Sequence, residues 1–382
     1  MSKILGRSFL PPYLVDNFYQ QSQSPRLQST RLHIDELMSH SYSKDDANTL
    51  KNLFTQSAKP GSNYERIIRD AKQKDELYWH YHSEMPICSH SDVSLDTKPP
   101  KPYERHMPHE DYQVIMIEGD QSAPSKAAQL VYDAIGSIRT FYKDVLGIDK
   151  MFGCDSQLNA VIHFRKDYAN AFWNSQAIFF GDGDRVNFGE FYNDIDIIAH
   201  ELTHGFITFT SDFDYLFQSG ALNESVADVI GMMIKQYVSN ETSLQSNWLL
   251  AENIFLDKTA ARALRSMSDP GSAYRFSDSN YDRQVGHMRD YVNLTSNQDN
   301  GGVHINSGIP NKAFYLLATE LGGYSWDIAG KIWVATMYHS DIKYNTNFNE
   351  FAEVTVQVAN DEFGSRISEL TRKSWQDVGI NV

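Results

Sequence analysis

Cysteine is nearly missing from this chain. Cys88 and Cys154 are the only two in 382 residues, so a scaffold built on disulfides is excluded and two free thiols are the simpler reading. Long apolar runs are missing too. No stretch approaches the roughly 18–20 residues of a membrane-spanning helix. The opening "MSKILGRSFLPPYLVDNF" has neither an unbroken apolar run nor the small-residue cleavage site of a secretory signal. The expectation is a soluble protein without membrane insertion, cytoplasmic at synthesis, any export being by a non-classical route. Positive charge is in deficit, with 34 Lys and Arg against 49 Asp and Glu and a net charge of −15. That excess repels phosphate backbones and anionic lipid, so no nucleic-acid role is expected. Internal repeats and low-complexity tracts are lacking.

What is present suffices for a large core, since 41% of the residues are hydrophobic, and the length fits about two domains plus an accessory segment. Residues 1 to about 60 start at "LPPYLV" and offer two short helical candidates, "RLHIDELMSH" and "DDANTLKNLF", before the turn signal "KPGSN". Residues 80–110 are irregular and rich in Pro and His. Beyond them, "YQVIMIEGD" reads as a buried strand, and "LNAVIHF" and "SQAIFFGDGD" as strands ending in turns. Between these, Val131, Ile135, Ile138, Tyr142 and Val145 share one helical face. Past residue 190 the periodicity is helical. Ile195, Ile198, Leu202 and Phe206 form a stripe, Val226, Ile230, Met233 and Tyr237 a second, and Trp326, Ala329, Trp333 and Met337 a third.

The stretch "AHELTHGF" carries the chemistry. Residues four apart on a helix lie about 5–6 Å apart on one face, so His200 and His204 can reach one ion. Glu201, rotated about 100° from His200, is badly placed as a ligand and well placed to take a proton from a water on the metal. One turn into the next helix, Glu224 can complete a His2Glu set that leaves an open position, as a catalytic zinc requires. Asp228 can accept the free N–H of a ligating histidine and fix its tautomer.

"HELTH" followed by "GALNES.AD" resembles the thermolysin family of zinc endopeptidases. So do "NAFW" at 170–173, "FGDGD" at 180–184, "LRSMSDP" at 264–270 and "DNGGVHINSGIPNKAFYL" at 299–316. The resemblance implies an α+β, two-lobed metalloprotease with a β-rich lobe (61–205), an all-helical lobe (206–382), and the active-site helix and cleft between them. It implies His200, His204 and Glu224 as ligands of one catalytic zinc and Glu201 as general base. His304 and Tyr215 would stabilise the oxyanion, Asp299 would orient His304, and Arg265 would hold a substrate carbonyl. Asn170 and Ala171 would pair with substrate backbone. Phe188, Phe191, Ile197 and Leu264 would line a pocket favouring cleavage on the amino side of bulky apolar residues in peptide or protein substrates.

The chain also departs from the family. Asp196 and Glu252 match acidic residues around thermolysin's calcium pair, but Lys235, Asn247 and Leu249 replace others. No calcium pair is expected there, and a single calcium elsewhere is left open. Residues 1–60 resemble the pro-segment of the short-propeptide, protealysin-like branch through Pro11, Pro12 and Tyr13. That resemblance implies a zymogen whose own pro-segment acts as an intramolecular inhibitor, with a mature start near "NYERIIRDAKQ". A structural cap that is never removed is the alternative. His80, His82, Cys88, His90, His106 and His109 follow no regular zinc spacing, so a solvated loop is expected there rather than a second metal site or a Cys88 latch. A monomer is expected. The competing functions are an aminopeptidase on the same ligands, against which no GxMEN-type element is found, and a catalytically silent zinc-containing binding protein.

Overall fold

The computed structural model of the chain describes residues 7–22, 25–39, 66–73, 112–152, 157–174 and 177–382. The second helical candidate, the "KPGSN" turn, the 80–110 region with its histidines and Cys88, and Cys154 lie outside the described residues.

Among the described residues, the N-terminal half is built on a six-stranded mixed sheet, ordered β1 (Arg7–Ser8), β5 (Ala171–Trp173), β6 (Ala177–Phe180), β4 (Leu158–Ile162), β2 (Arg66–Asp70), β3 (Gln113–Ile117). β2, β4 and β6 run parallel, while β1–β5, β5–β6 and β2–β3 are antiparallel. Alternation along a strand splits its side chains between two faces. Leu158, Ala160 and Ile162 of β4 join the main core, and Val161 joins a second cluster with Phe164, Phe172 and Phe179. Helix α3 (Lys126–Thr140) buries Val131, Ile135 and Ile138 in the main core and continues as a wide turn over Phe141–Val145. Ser125 caps it, accepting from the Ala128 amide.

Strand β3 corrects the sequence reading. Among the described residues it is the sheet's outer edge, and of its five residues only Met116 is buried, while Val114 and Ile117 are exposed. An apolar alternation signals a strand without telling how many neighbours it will have.

The C-terminal half consists mainly of helices: α5 (Phe217–Ser239), α6 (Asp299–Asn306), α7 (Gly308–Leu321), α8 (Ala329–Met337), α9 (Phe348–Phe363) and α10 (Ser365–Gln376). A two-stranded ladder, β7 (Leu249–Leu250) with β8 (Arg265–Ser266), lies within its longest irregular stretch. Helix α4 (Ile195–Phe209) joins the halves, and every residue from Asp196 to Ile207 is buried. Its histidine face is therefore as enclosed as its apolar stripe, because one side meets the sheet and the other meets α5. Gly231 lets α5 come close, since a Cβ there would lie 2.9 Å from the Asp196 carbonyl oxygen.

Among the described residues, two helices precede this body. α1 (Pro12–Ser22) begins at Pro12, whose fixed φ suits a first helical position, and it buries Leu14, Val15 and Phe18. Phe18 packs edge-on against Phe188 and Phe276. α2 (Gln28–Ser39) matches the first helical candidate and docks through Thr30 and His33. Thr30 Oγ1 accepts from the Ala169 amide at 2.8 Å, and His33 Nδ1 lies 2.6 Å from Tyr168 Oη in a cage of Phe164, Tyr168 and Phe172 rings.

Candidate metal centre and active site

His200 and His204 project from consecutive turns of α4 toward Glu224 on α5. One ligand atom from each of the three lies within 4.8 Å of the others. His200 Nε2 is 3.5 Å from Glu224 Oε2, and His204 Nε2 is 3.5 Å from Glu224 Oε1. The ring nitrogens facing away are both engaged. His200 Nδ1–H donates to Asp228 Oδ1 and His204 Nδ1–H to Asn223 Oδ1, each at 2.9 Å. Those bonds fix the tautomers and leave the Nε2 lone pairs facing Glu224. His200 Nε2 and Glu224 Oε2 are buried and make no hydrogen bond. Such atoms are costly to enclose unless something else takes them up. Two imidazoles and one carboxylate, pre-aimed at a common point, fit a zinc ion in both donor type and number.

Asp228 does more than orient His200. Its carboxylate also accepts from Arg265 Nη2 at 2.7 Å and from Asn311 Nδ2 at 2.9 Å. Burial works to raise its carboxyl, but Arg265 and His200 outweigh burial and hold it down to about 2. Arg265, itself 2% exposed, is thereby pinned beside the metal-site histidine. Asn223 and Asn311 escaped the sequence reading. The former had one available signal: a second ligating histidine also needs a partner for its other nitrogen.

His304 approaches from α6. The four residues Asp299–Gly302 all have positive φ, from 50° to 87°. A Cβ on Gly301 would sit 2.3 Å from Phe217. This left-handed turn folds Asp299 back so that it accepts from both His304 Nδ1 (2.5 Å) and the His304 amide (3.0 Å). Burial pushes His304 down, yet Asp299 and Glu224 prevail and raise it to about 9. Tyr215 donates to Glu224 Oε1 and lies 3.3 Å from His304 Nε2. Glu201 is fully buried one residue along from His200. Phe188, Phe191, Ile197 and Leu264 are all buried in the main core cluster, with Phe188 and Phe191 rings 6.1 Å apart.

Asn170 and Ala171 already have a strand beside them. β1 adds antiparallel to β5, with Ser8 opposite Phe172. The Phe9 amide donates to the Ala171 carbonyl and the Leu10 amide to Asn170 Oδ1, both at 3.0 Å. Arg265 Nη1 donates to the Phe9 carbonyl at 3.3 Å, and His304 Nε2 to the Ser8 carbonyl at 2.8 Å. The Phe9 ring stands edge-on to His200, centroids 5.0 Å apart, with the Arg265 guanidinium 4.5 Å from its centre.

Residues 119–208 match the thermolysin metallopeptidase catalytic domain, and residues 211–380 match the α-helical domain of the same family. The chain belongs to the thermolysin metallopeptidase family. It is 35% identical to Protease PrtS of Photorhabdus sp. (strain Az29) over 98% of this chain and 92% of that protein. With the extracellular metalloprotease of Pectobacterium carotovorum it shares 40% identity over 71% of this chain and 77% of the relative. A solved precursor of protealysin, a metalloproteinase from Serratia proteamaculans, superimposes with a TM-score of 0.77 at 31% identity. That match covers 98% of this chain and 99% of the other. Neither the aminopeptidase nor the silent binding protein is favoured by these relatives. Among the described residues, no helix is long and apolar enough to cross a membrane.

Proposed function

We infer that this thermolysin-family chain is a zinc endopeptidase in precursor form, cutting on the amino side of bulky apolar residues. One observation carries the reading: the convergence of His200, His204 and Glu224 beside Glu201, Tyr215 and His304. A structural metal needs none of the last three. Zinc, when bound by His200, His204 and Glu224, polarises the peptide carbonyl and makes a water nucleophilic near neutral pH. Glu201 takes the proton of the attacking water and delivers it to the leaving nitrogen. His304, kept protonated by Asp299, donates to the developing oxyanion, a role shared by Tyr215 and typically worth about 3–4 kcal/mol per donor. Arg265, braced by Asp228, holds the next carbonyl. Asn170 and Ala171 present the strand edge on which a substrate aligns. Phe188, Phe191, Ile197 and Leu264 give an apolar preference on the primed side.

Residues 1 to about 60 act as the pro-segment, and 61–205 and 206–382 as the two lobes. Support comes from β1, Phe9 and Leu10 lying along the substrate edge and from the likeness to a protealysin precursor over nearly the whole chain. Hydrolysis of an end-blocked peptide tests the function. Glu201→Gln is expected to bind zinc and to lose about 10²–10⁴-fold in rate, and a chelator should abolish activity. Retained activity in either case refutes the reading.

A further inference from the structure

The N-terminal segment does more than cover the cleft; it lies there with the direction and spacing of a substrate. Four backbone contacts define the register. The Ser8 carbonyl meets His304 Nε2, the donor that would steady an oxyanion, at 2.8 Å. The next amide, that of Phe9, donates to Ala171. The Phe9 carbonyl accepts from Arg265, and the Leu10 amide reaches Asn170. Phe9, a bulky apolar residue, is the first past the bond and packs on the metal-site histidine. The peptide between Ser8 and Phe9 is thus the bond held between His304 on one side and Arg265 and Ala171 on the other.

The sequence also holds the register. A slip of one residue would exchange the faces of every side chain. A slip of two would offer Pro11, which has no amide proton for Ala171. Pro11 further keeps Leu10 extended, and α1 begins at Pro12, anchored by Leu14, Val15 and Phe18.

We propose that Ser8–Phe9 is a self-cleavage site, hydrolysed within the same chain. The inference rests on the peptidase reading above. A water oxygen bonds to the Ser8 carbonyl carbon as Glu201 takes its proton. The C–N bond breaks as that proton passes to the Phe9 nitrogen, and the second proton of the water follows from the new carboxylic acid to the amine. Ser8 ends as a carboxylate and Phe9 as an ammonium. Tethering makes the step unimolecular and raises the effective concentration of the bond far above that of any free peptide. Residues 1–8 leave, whereas Phe9 and Leu10 stay, held by α1 and α2. This cut therefore precedes opening of the cleft and does not cause it.

The test uses the full chain supplied with zinc, followed by intact mass and N-terminal sequencing. The expected result is loss of residues 1–8, a new N-terminus at Phe9, and a first-order rate independent of protein concentration. The Glu201→Gln chain should keep its full mass. A second readout needs no turnover: in Glu201→Gln, the Phe9 and Leu10 amides should exchange hydrogen at least about 100-fold slower than in a free peptide of residues 4–14. Retention of residues 1–8 by a chain that hydrolyses a blocked peptide overturns the inference and leaves the peptidase reading standing. A first cut at any other bond of the segment, a rate of that first cut that scales with concentration, or peptide-like exchange at Phe9 and Leu10 overturns it equally. Failure to cut either the segment or the blocked peptide removes the peptidase reading, and this inference falls with it.

Discussion

Acid should loosen the N-terminal helices from the body through one side chain, His33. Its ring is 2% exposed, hydrogen-bonded to Tyr168 and enclosed by three aromatic rings. Burial first, and Arg165 nearby second, push its pKa from 6.5 down to about 3. A histidine depressed in the docked state favours docking fully above about pH 6.5. That contribution fades as pH falls below 6.5 and levels off near pH 3. At pH 5 an undocked His33 is almost fully protonated while the docked one is neutral. The gap of 1.5 pH units at about 1.4 kcal/mol each makes the loss about 2 kcal/mol, or about 30-fold in the docking equilibrium. Hydrogen exchange over residues 28–39 in Glu201→Gln, corrected for intrinsic rates, measures it. Protection should fall about 30-fold between pH 7 and pH 5, and His33→Gln should flatten the dependence. Unchanged protection in the parent chain, or a docked His33 titrating near 6.5 by NMR, refutes the reasoning.

Lys235 should replace calcium as the local cation. Its ammonium lies 2.6 Å from Glu252, 3.3 Å from Asp196 and 2.7 Å from the Leu249 carbonyl. Calcium should therefore leave Tm unchanged, while Lys235→Met should cost about 2–4 kcal/mol by stranding the buried Asp196; a calcium-dependent rise in Tm contradicts this. His304, raised to about 9, carries its proton fully below about 6.5 and loses it only as pH rises through about 9. With zinc on Glu224, Asp299 still holds that proton, so the alkaline limb of kcat/KM should lie above 6.5, and Asp299→Asn should move it down; an unmoved limb assigns it to another group. Gly301→Ala should lower stability by about 2–3 kcal/mol through its positive φ and the contact with Phe217, and should lower kcat with it, as thermal melts and kinetics will show.

The sequence showed most plainly what is encoded locally. The spacing of His200, His204, Glu224 and Asp228 follows from helical periodicity, and the structure places these side chains together. α3 and α4 announce themselves through apolar stripes. What stayed hidden depends on distant partners. β2 is five residues, RIIRD, whose strand state comes from pairing with β3 on one side and β4 on the other. α1 was obscured by two prolines, though the second suits a helix start. The exposure of β3 depends on its place in the strand order, which no alternation records. Phe9 reaches His200 and Arg265 across a very long stretch of chain; Pro11, Pro12 and Tyr13 point to an inhibitory segment but not to the residue that enters the site.

His200 and His204, Glu224, and the groups that aim the imidazoles, Asp228 and Asn223, all ride on the packed pair α4 and α5. The strand edge that receives a peptide belongs instead to the sheet. Should the groove breathe, by α4 tilting against β5, the ion's surroundings travel as one block. The metal ligands and the edge that receives a peptide are thus carried on separate elements, and residues 8–10 bridge the two where Phe9 packs on His200.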